Sequence, residues 1–125
     1  MFSAALLDHF QHPRNAGELP AATACVEVSN PVCGDILQLS AILDDHDRRI
    51  REARFLCRGC TASIASASLL TELIQGRELS ELDAIRPESL AQSLGGLPPA
   101  SFHAAQLAVD ALKALLHQLR QTSQH

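Results

Sequence analysis

The sequence predicts an α+β fold, in which a small three-stranded antiparallel sheet packs against about four to five helices. Three observations lead there. In the runs 23–29, 36–43 and 49–57 apolar residues recur at every second position, weakly in the first and then clearly, which is the period of a half-buried strand. The runs on either side of residues 44–47 are joined by a short polar turn, as in an antiparallel hairpin. After Gly59 the apolar spacing becomes helical and stays so almost to the end of the chain. Strands followed by helices make separate layers rather than alternating βαβ units.

Taken in order, Ser3 to Gln11 reads as a short helix, with Ser3 as N-cap and Leu6, Leu7 and Phe10 as its apolar face. Pro13 stops it, and Arg14-Asn15-Ala16-Gly17 turns the chain. His9 and His12 flank this exit and read as surface histidines. Thr23 to Ser29 is the first strand, and its Cys25, with no ligand-like neighbour, reads as a packed structural thiol. Asn30-Pro31 breaks this strand. Ile36 to Leu43 is the second, with Leu37, Leu39, Ala41 and Leu43 on one face, and Arg49 to Cys57 is the third, with Ala53, Phe55 and Cys57 on one face. Thr61 to Gln75 is helical and ends at Gly76. Ser80 to Asp83 and Pro87 to about Leu94 are shorter helical pieces, and Ser101 to about Thr122 is the longest helix.

With 125 residues, the chain is expected to form a single domain spanning 1–125. Hydrophobic residues make up 46% but aromatic ones only 3%, so the core must come from Leu, Ala, Ile and Val. A net charge of −4 and the lack of a basic stripe or aromatic platform argue against nucleic-acid binding. No apolar run approaches the ~20 residues of a membrane span. The first nine residues have no basic region and already carry Asp8, so no signal peptide is expected. A cytoplasmic setting follows, in which the four cysteines are reduced and act as buried hydrophobes, ligands or reactive thiols.

The stretch Asn30-Pro31-Val32-Cys33-Gly34-Asp35 points to metal or sulfur chemistry at the mouth of a strand. Cys33 can ligate as a thiolate, Gly34 lets the backbone pass close to a bound group, and Asp35 adds a hard, charged oxygen. Cys60 opens a helix, where unpaired N–H groups and the dipole favour an anion. His103 lies near the start of the last helix. If the hairpin packs on both helices, Cys33, Asp35, Cys60 and His103 converge as a mixed sulfur, nitrogen and oxygen set suited to zinc or to iron in a cluster. Cys57-Arg58-Gly59-Cys60 alone reads equally as a thiol redox pair or as half of a zinc site.

The same residues resemble the U-type iron–sulfur cluster scaffolds, IscU and the related N-terminal domain of NifU. The matching stretches are Asp8-His9-Phe10, Pro13-Arg14-Asn15-Ala16-Gly17, Asn30-Pro31-Val32-Cys33-Gly34-Asp35, Phe55, Gly59-Cys60, Ala65-Ser66-Ala67-Ser68, Leu94-Gly95-Gly96-Leu97-Pro98-Pro99 and His103, which together cover nearly the whole chain. The chain also lacks the insertion typical of the zinc-bound SufU branch. The resemblance implies a non-enzymatic scaffold that holds iron or a labile [2Fe–2S] cluster, or zinc in isolation, and passes the cluster to acceptor proteins. It implies a cysteine desulfurase as sulfur source and an Hsp70-type chaperone system as partner.

By position, the family's ligands fall on Cys33, Asp35, Cys60 and His103. Its third cysteine, the one associated with accepting sulfur, is replaced by Ala104, and its Leu-Pro-Pro-Val-Lys chaperone motif by Leu97-Pro98-Pro99-Ala100-Ser101. Cys57, three residues before Cys60, is the candidate replacement for the lost ligand. The alternative function is a zinc-binding regulatory or interaction protein that keeps the fold and has lost cluster assembly.

Overall fold

The computed structural model describes residues 2–31 and 34–122. Strands β1 (Ala24–Ser29), β2 (Ile36–Asp44) and β3 (Arg49–Arg58) form an antiparallel sheet in the order β1-β2-β3. The helices are α1 (Ala4–Gln11), α2 (Thr61–Ile74), α3 (Leu79–Leu82), α4 (Pro87–Ser93) and α5 (Phe102–Thr122), the last entered through a 3₁₀ turn at Pro99–Ser101. This is the α+β architecture that the spacing predicts.

The strand alternation determines which face is covered. Leu39 pairs with Val26 and Phe55, Leu37 with Val28 and Cys57, and Ala41 with Ala24 and Ala53, so these residues share one face of the sheet. Against it lie α2, on β3, and α5, on β1 and β2, and the two helices also pack on each other. With four Phe and neither Trp nor Tyr, the core is Leu and Ala. Ala62, Ala65 and Ala67 of α2 and Ala104, Ala105, Ala108 and Ala111 of α5 are all buried. Side chains this short let the helices approach closely, while Leu39, Leu70, Leu112 and Leu115 fill the space between layers.

The ends of the sheet are closed by specific backbone contacts. The free edge of β3 is covered by the turn after α1, where Gly17 N–H donates to the Phe55 carbonyl (2.8 Å) and Phe55 N–H donates to the Asn15 carbonyl (3.0 Å). Ser3 caps α1 by accepting from Leu6 N–H (3.1 Å), and its hydroxyl donates to the Leu94 carbonyl. Gly95 is required beside it. Its φ is +82°, and a Cβ there would lie 2.7 Å from the Ser3 Cβ.

Three local expectations change. His9 is buried rather than on the surface, because α1 presents Leu6 and His9 to α2 and a polar partner, Ser68, awaits the ring there. The same rotation leaves Leu7 and Phe10 exposed at 39% and 37%, so they are not the buried face. Cys25 is exposed rather than packed, since it pairs with Ser40 on the sheet face away from the helices.

Candidate metal centre

β2 begins and β3 ends at the same end of the sheet, and α5 starts beside them. Asp35 immediately precedes β2, Cys60 is the N-cap of α2 directly after β3, and His103 is in the first turn of α5. The structure brings these three together: one ligand atom from each lies within 4.8 Å of the others. Donors around one tetrahedral zinc sit about 3.5 Å apart, given bond lengths of 2.0–2.3 Å, so a small inward movement closes the set.

Each side chain is held by its own element. The turn into β2 is fixed by Gly34 N–H donating to the Asn30 carbonyl (2.7 Å) and Asn30 N–H donating to the Asp35 carbonyl (2.9 Å). Gly34 has φ +78°, a left-handed conformation that glycine adopts without strain. The Asp35 carboxylate is buried, 6% exposed, and accepts from the Ser63 hydroxyl at 2.5 Å. It also rests on Gly59, where a Cβ would meet the carboxyl carbon at 2.7 Å. Gly59 is therefore the residue that admits Asp35 between β3 and α2.

The His103 Nδ1 lies 3.1 Å from the Ala100 carbonyl oxygen. A carbonyl only accepts, so Nδ1 carries a proton, and in the neutral tautomer with that proton Nε2 presents its lone pair. Nε2 is buried, has no hydrogen-bond partner, and stands 3.8 Å from Asp35 Oδ2. An imidazole oriented through Nδ1 by a backbone carbonyl, with Nε2 open, is the usual preparation of a ligating histidine. His103 also borders a cavity of about 200 Å³ shared with Asn30, Pro31 and Gln106.

The other sequence candidates lie differently. Cys33 lies outside the described residues. Cys57 is half-buried on the covered face of β3, opposite Leu37, and is not one of the three clustered donors. Burial pushes its thiol up to about 12, with the Asp35 carboxylate and then Cys60 adding to the effect. Ala104, one residue past His103, is 1% exposed within the apolar core and offers no donor.

Sequence reasoning missed Ser63. Its hydroxyl is 2.5 Å from Asp35 Oδ2 and 3.3 Å from Cys60 Sγ, so it touches two of the three donors. The signal was available in the spacing, because a helix N-cap and the third helical residue face each other across the first turn.

Residues 1–124 match the family described as NifU-like N terminal domain. The iron-sulfur cluster assembly scaffold protein IscU 1 of Archaeoglobus fulgidus is 40% identical over 113 residues, which cover 90% of this chain and 72% of that protein. The iron-sulfur cluster assembly scaffold protein IscU of Haemophilus influenzae is 40% identical over 118 residues, 92% of each chain. Among solved structures, the N-terminal part of a NifU-like protein from Brucella abortus has a TM-score of 0.78 over 95% of this chain and 94% of its own. At 17% identity that likeness speaks for the fold alone.

Proposed function

The chain belongs to the family of NifU-like N terminal domains, and from that premise we propose that it is a scaffold on which iron–sulfur clusters are assembled, the cluster being its cargo. The observation that carries this reading is the His103 Nε2 atom, buried and without a hydrogen-bond partner beside Asp35 and Cys60. A buried polar atom left unpaired costs about 1–3 kcal/mol, and a metal ion that takes its lone pair removes that cost. Cys33, two residues before Asp35, supplies a second thiolate in this reading. Soft thiolates suit iron and sulfide, while a carboxylate is a poorer ligand that keeps the cluster transferable.

A cysteine desulfurase would deliver the sulfur and acceptor proteins would receive the cluster, in the cytoplasm. An Hsp70-type chaperone would act through the altered Leu97-Pro98-Pro99-Ala100-Ser101 segment. The protein holds and releases cargo in this reading and is not an enzyme. Ala104 cannot carry a persulfide, so delivered sulfur must land on Cys33, Cys57 or Cys60. Cys57 is held as a neutral thiol at physiological pH, which favours the other two.

The same Ala104 supports a second reading. Without a third family cysteine, Cys33, Asp35, Cys60 and His103 are four donors, enough to close a tetrahedral shell around a single zinc ion. Anaerobic incubation with ferrous iron, cysteine and a desulfurase separates the two. The scaffold reading expects visible absorbance and acid-labile sulfide that stay with the protein through gel filtration. No retained sulfide from that incubation, beside uptake of Zn²⁺ when zinc is supplied in place of iron, would overturn it in favour of a zinc-binding regulatory protein.

A further inference from the structure

Ser63 occupies a position that cargo binding alone does not explain. It lies in the first turn of α2, is 2% exposed, and its side chain points away from solvent into the junction of β2, β3 and α2. A hydroxyl buried there must be hydrogen-bonded to be tolerated. It finds its partners in the centre itself, with Asp35 Oδ2 at 2.5 Å and Cys60 Sγ at 3.3 Å. A carboxylate is acceptor-only, so Ser63 donates to Asp35. The same carboxylate oxygen is the one 3.8 Å from His103 Nε2.

We infer that Ser63 is a positioning residue of the metal centre, whose hydroxyl ties the Asp35 carboxylate to the first turn of α2 beside Cys60 and so sets how tightly the centre holds its ion. This rests on the metal-centre reading above and assigns a further residue to it. Asp35 belongs to the turn before β2, whereas Cys60 belongs to the start of α2. Ser63 is anchored in the same helix turn as Cys60 and bonds to Asp35, so the oxygen and sulfur donors move as one unit. Gly59 provides the space for the carboxyl group, since a Cβ there would lie 2.7 Å from the Asp35 carboxyl carbon. The carboxylate thus lies close against a glycine backbone and accepts from a hydroxyl donor. Outer hydrogen-bond partners of metal ligands act in this way, and removing one typically weakens metal binding tenfold to a hundredfold.

The test uses the reduced, metal-free full chain and Co²⁺ alone as probe, since the visible bands of cobalt report coordination geometry. Four proteins are titrated: the parent, Ser63→Ala, Asp35→Ala and the double variant. Ser63→Ala deletes one oxygen from a buried helical position without adding volume, and far-UV circular dichroism checks that all four are folded. The expected result is a tenfold to hundredfold weaker Kd for Ser63→Ala, with a displaced cobalt band, and no additional loss when Ser63→Ala is added to Asp35→Ala. A spectrum and Kd for Ser63→Ala equal to the parent's would overturn the inference. So would an equal loss in both backgrounds, which would mean that Ser63 acts elsewhere than on Asp35. If the parent itself takes up no cobalt, the metal-centre reading fails first, and that outcome is distinct from a parent and variant that bind alike.

Discussion

Cys57 and Cys60 are three residues apart, yet their surroundings differ sharply. Cys60 caps α2 and is exposed, whereas Cys57 faces the covered side of the sheet and is half-buried. With its thiol near 12, roughly 10⁻⁴ of Cys57 is thiolate at pH 8, and only the thiolate attacks an alkylating reagent. Iodoacetamide on the metal-free protein at pH 8 is therefore expected to modify Cys60 and Cys25, both exposed, at least tenfold faster than Cys57. Peptide mass spectrometry against time measures this, and equal rates at Cys57 and Cys60 would contradict the burial of Cys57. The contrast bears on the proposed replacement, by Cys57, of a ligand that Ala104 cannot supply. Cys57 can replace it only in a loaded centre, where a metal drives off the proton that burial retains.

Helix α1 is eight residues long, too short to be stable alone, so its docking on α2 depends on a few contacts. His9 is central to them. Its Nδ1 lies 2.8 Å from the Ser68 hydroxyl, which also accepts from Arg14 N–H at 2.9 Å, and its Nε2 faces Glu72 at 3.5 Å. Arg14 binds Asp8 at 2.6 Å on the outer side. Burial, and then the Arg14 guanidinium, hold the His9 pKa below the usual 6.5, while Glu72 and Asp8 pull the other way without reversing it. The unfolded chain then takes up the proton first as the pH drops, so stability is lost as pH falls through about 6.5 and is not regained below it. The melting temperature is expected to fall between pH 7.5 and 5.5, and His9→Gln should flatten that slope relative to the parent. Thermal melts of both across this range decide it, and parallel slopes would remove His9 from the account.

At the scale of the whole molecule, the centre exists only when the fold is complete. Its donors come from the start of β2, the N-cap of α2 and the first turn of α5, and the Leu and Ala core sets where those three ends meet. An unfolded chain holds these donors apart, so an ion that prefers the gathered set stabilises the fold by mass action, by about 2.7 kcal/mol at a hundredfold excess over Kd. Zn²⁺ should therefore raise the melting temperature of the reduced protein, and Cys60→Ser should remove most of the increase. Differential scanning fluorimetry with and without zinc measures both. An equal zinc shift in parent and Cys60→Ser would place the binding site elsewhere.

Much of this was determined by the sequence by itself. The period-2 runs at 36–43 and 49–57, the polar turn between them and the helical spacing from Ser101 onward are local patterns, and local patterns determine element type and order. The residue types of Asp35, Cys60 and His103 and their places at the ends of elements were equally visible, because both can be read from the chain. Their mutual distance depended on tertiary structure, since it is the sum of packing contacts from many residues remote in sequence. Tertiary structure alone also decided which way the short elements turned. In α1 the apolar pattern nominated Leu7 and Phe10, but the hydroxyl of Ser68 drew His9 inward instead. In β1 alternation put Cys25 and Val26 on opposite faces without saying which face the helices would cover. The Ser63 contact with Asp35 spans 28 residues and two elements, so only the closing of α2 onto the sheet could create it.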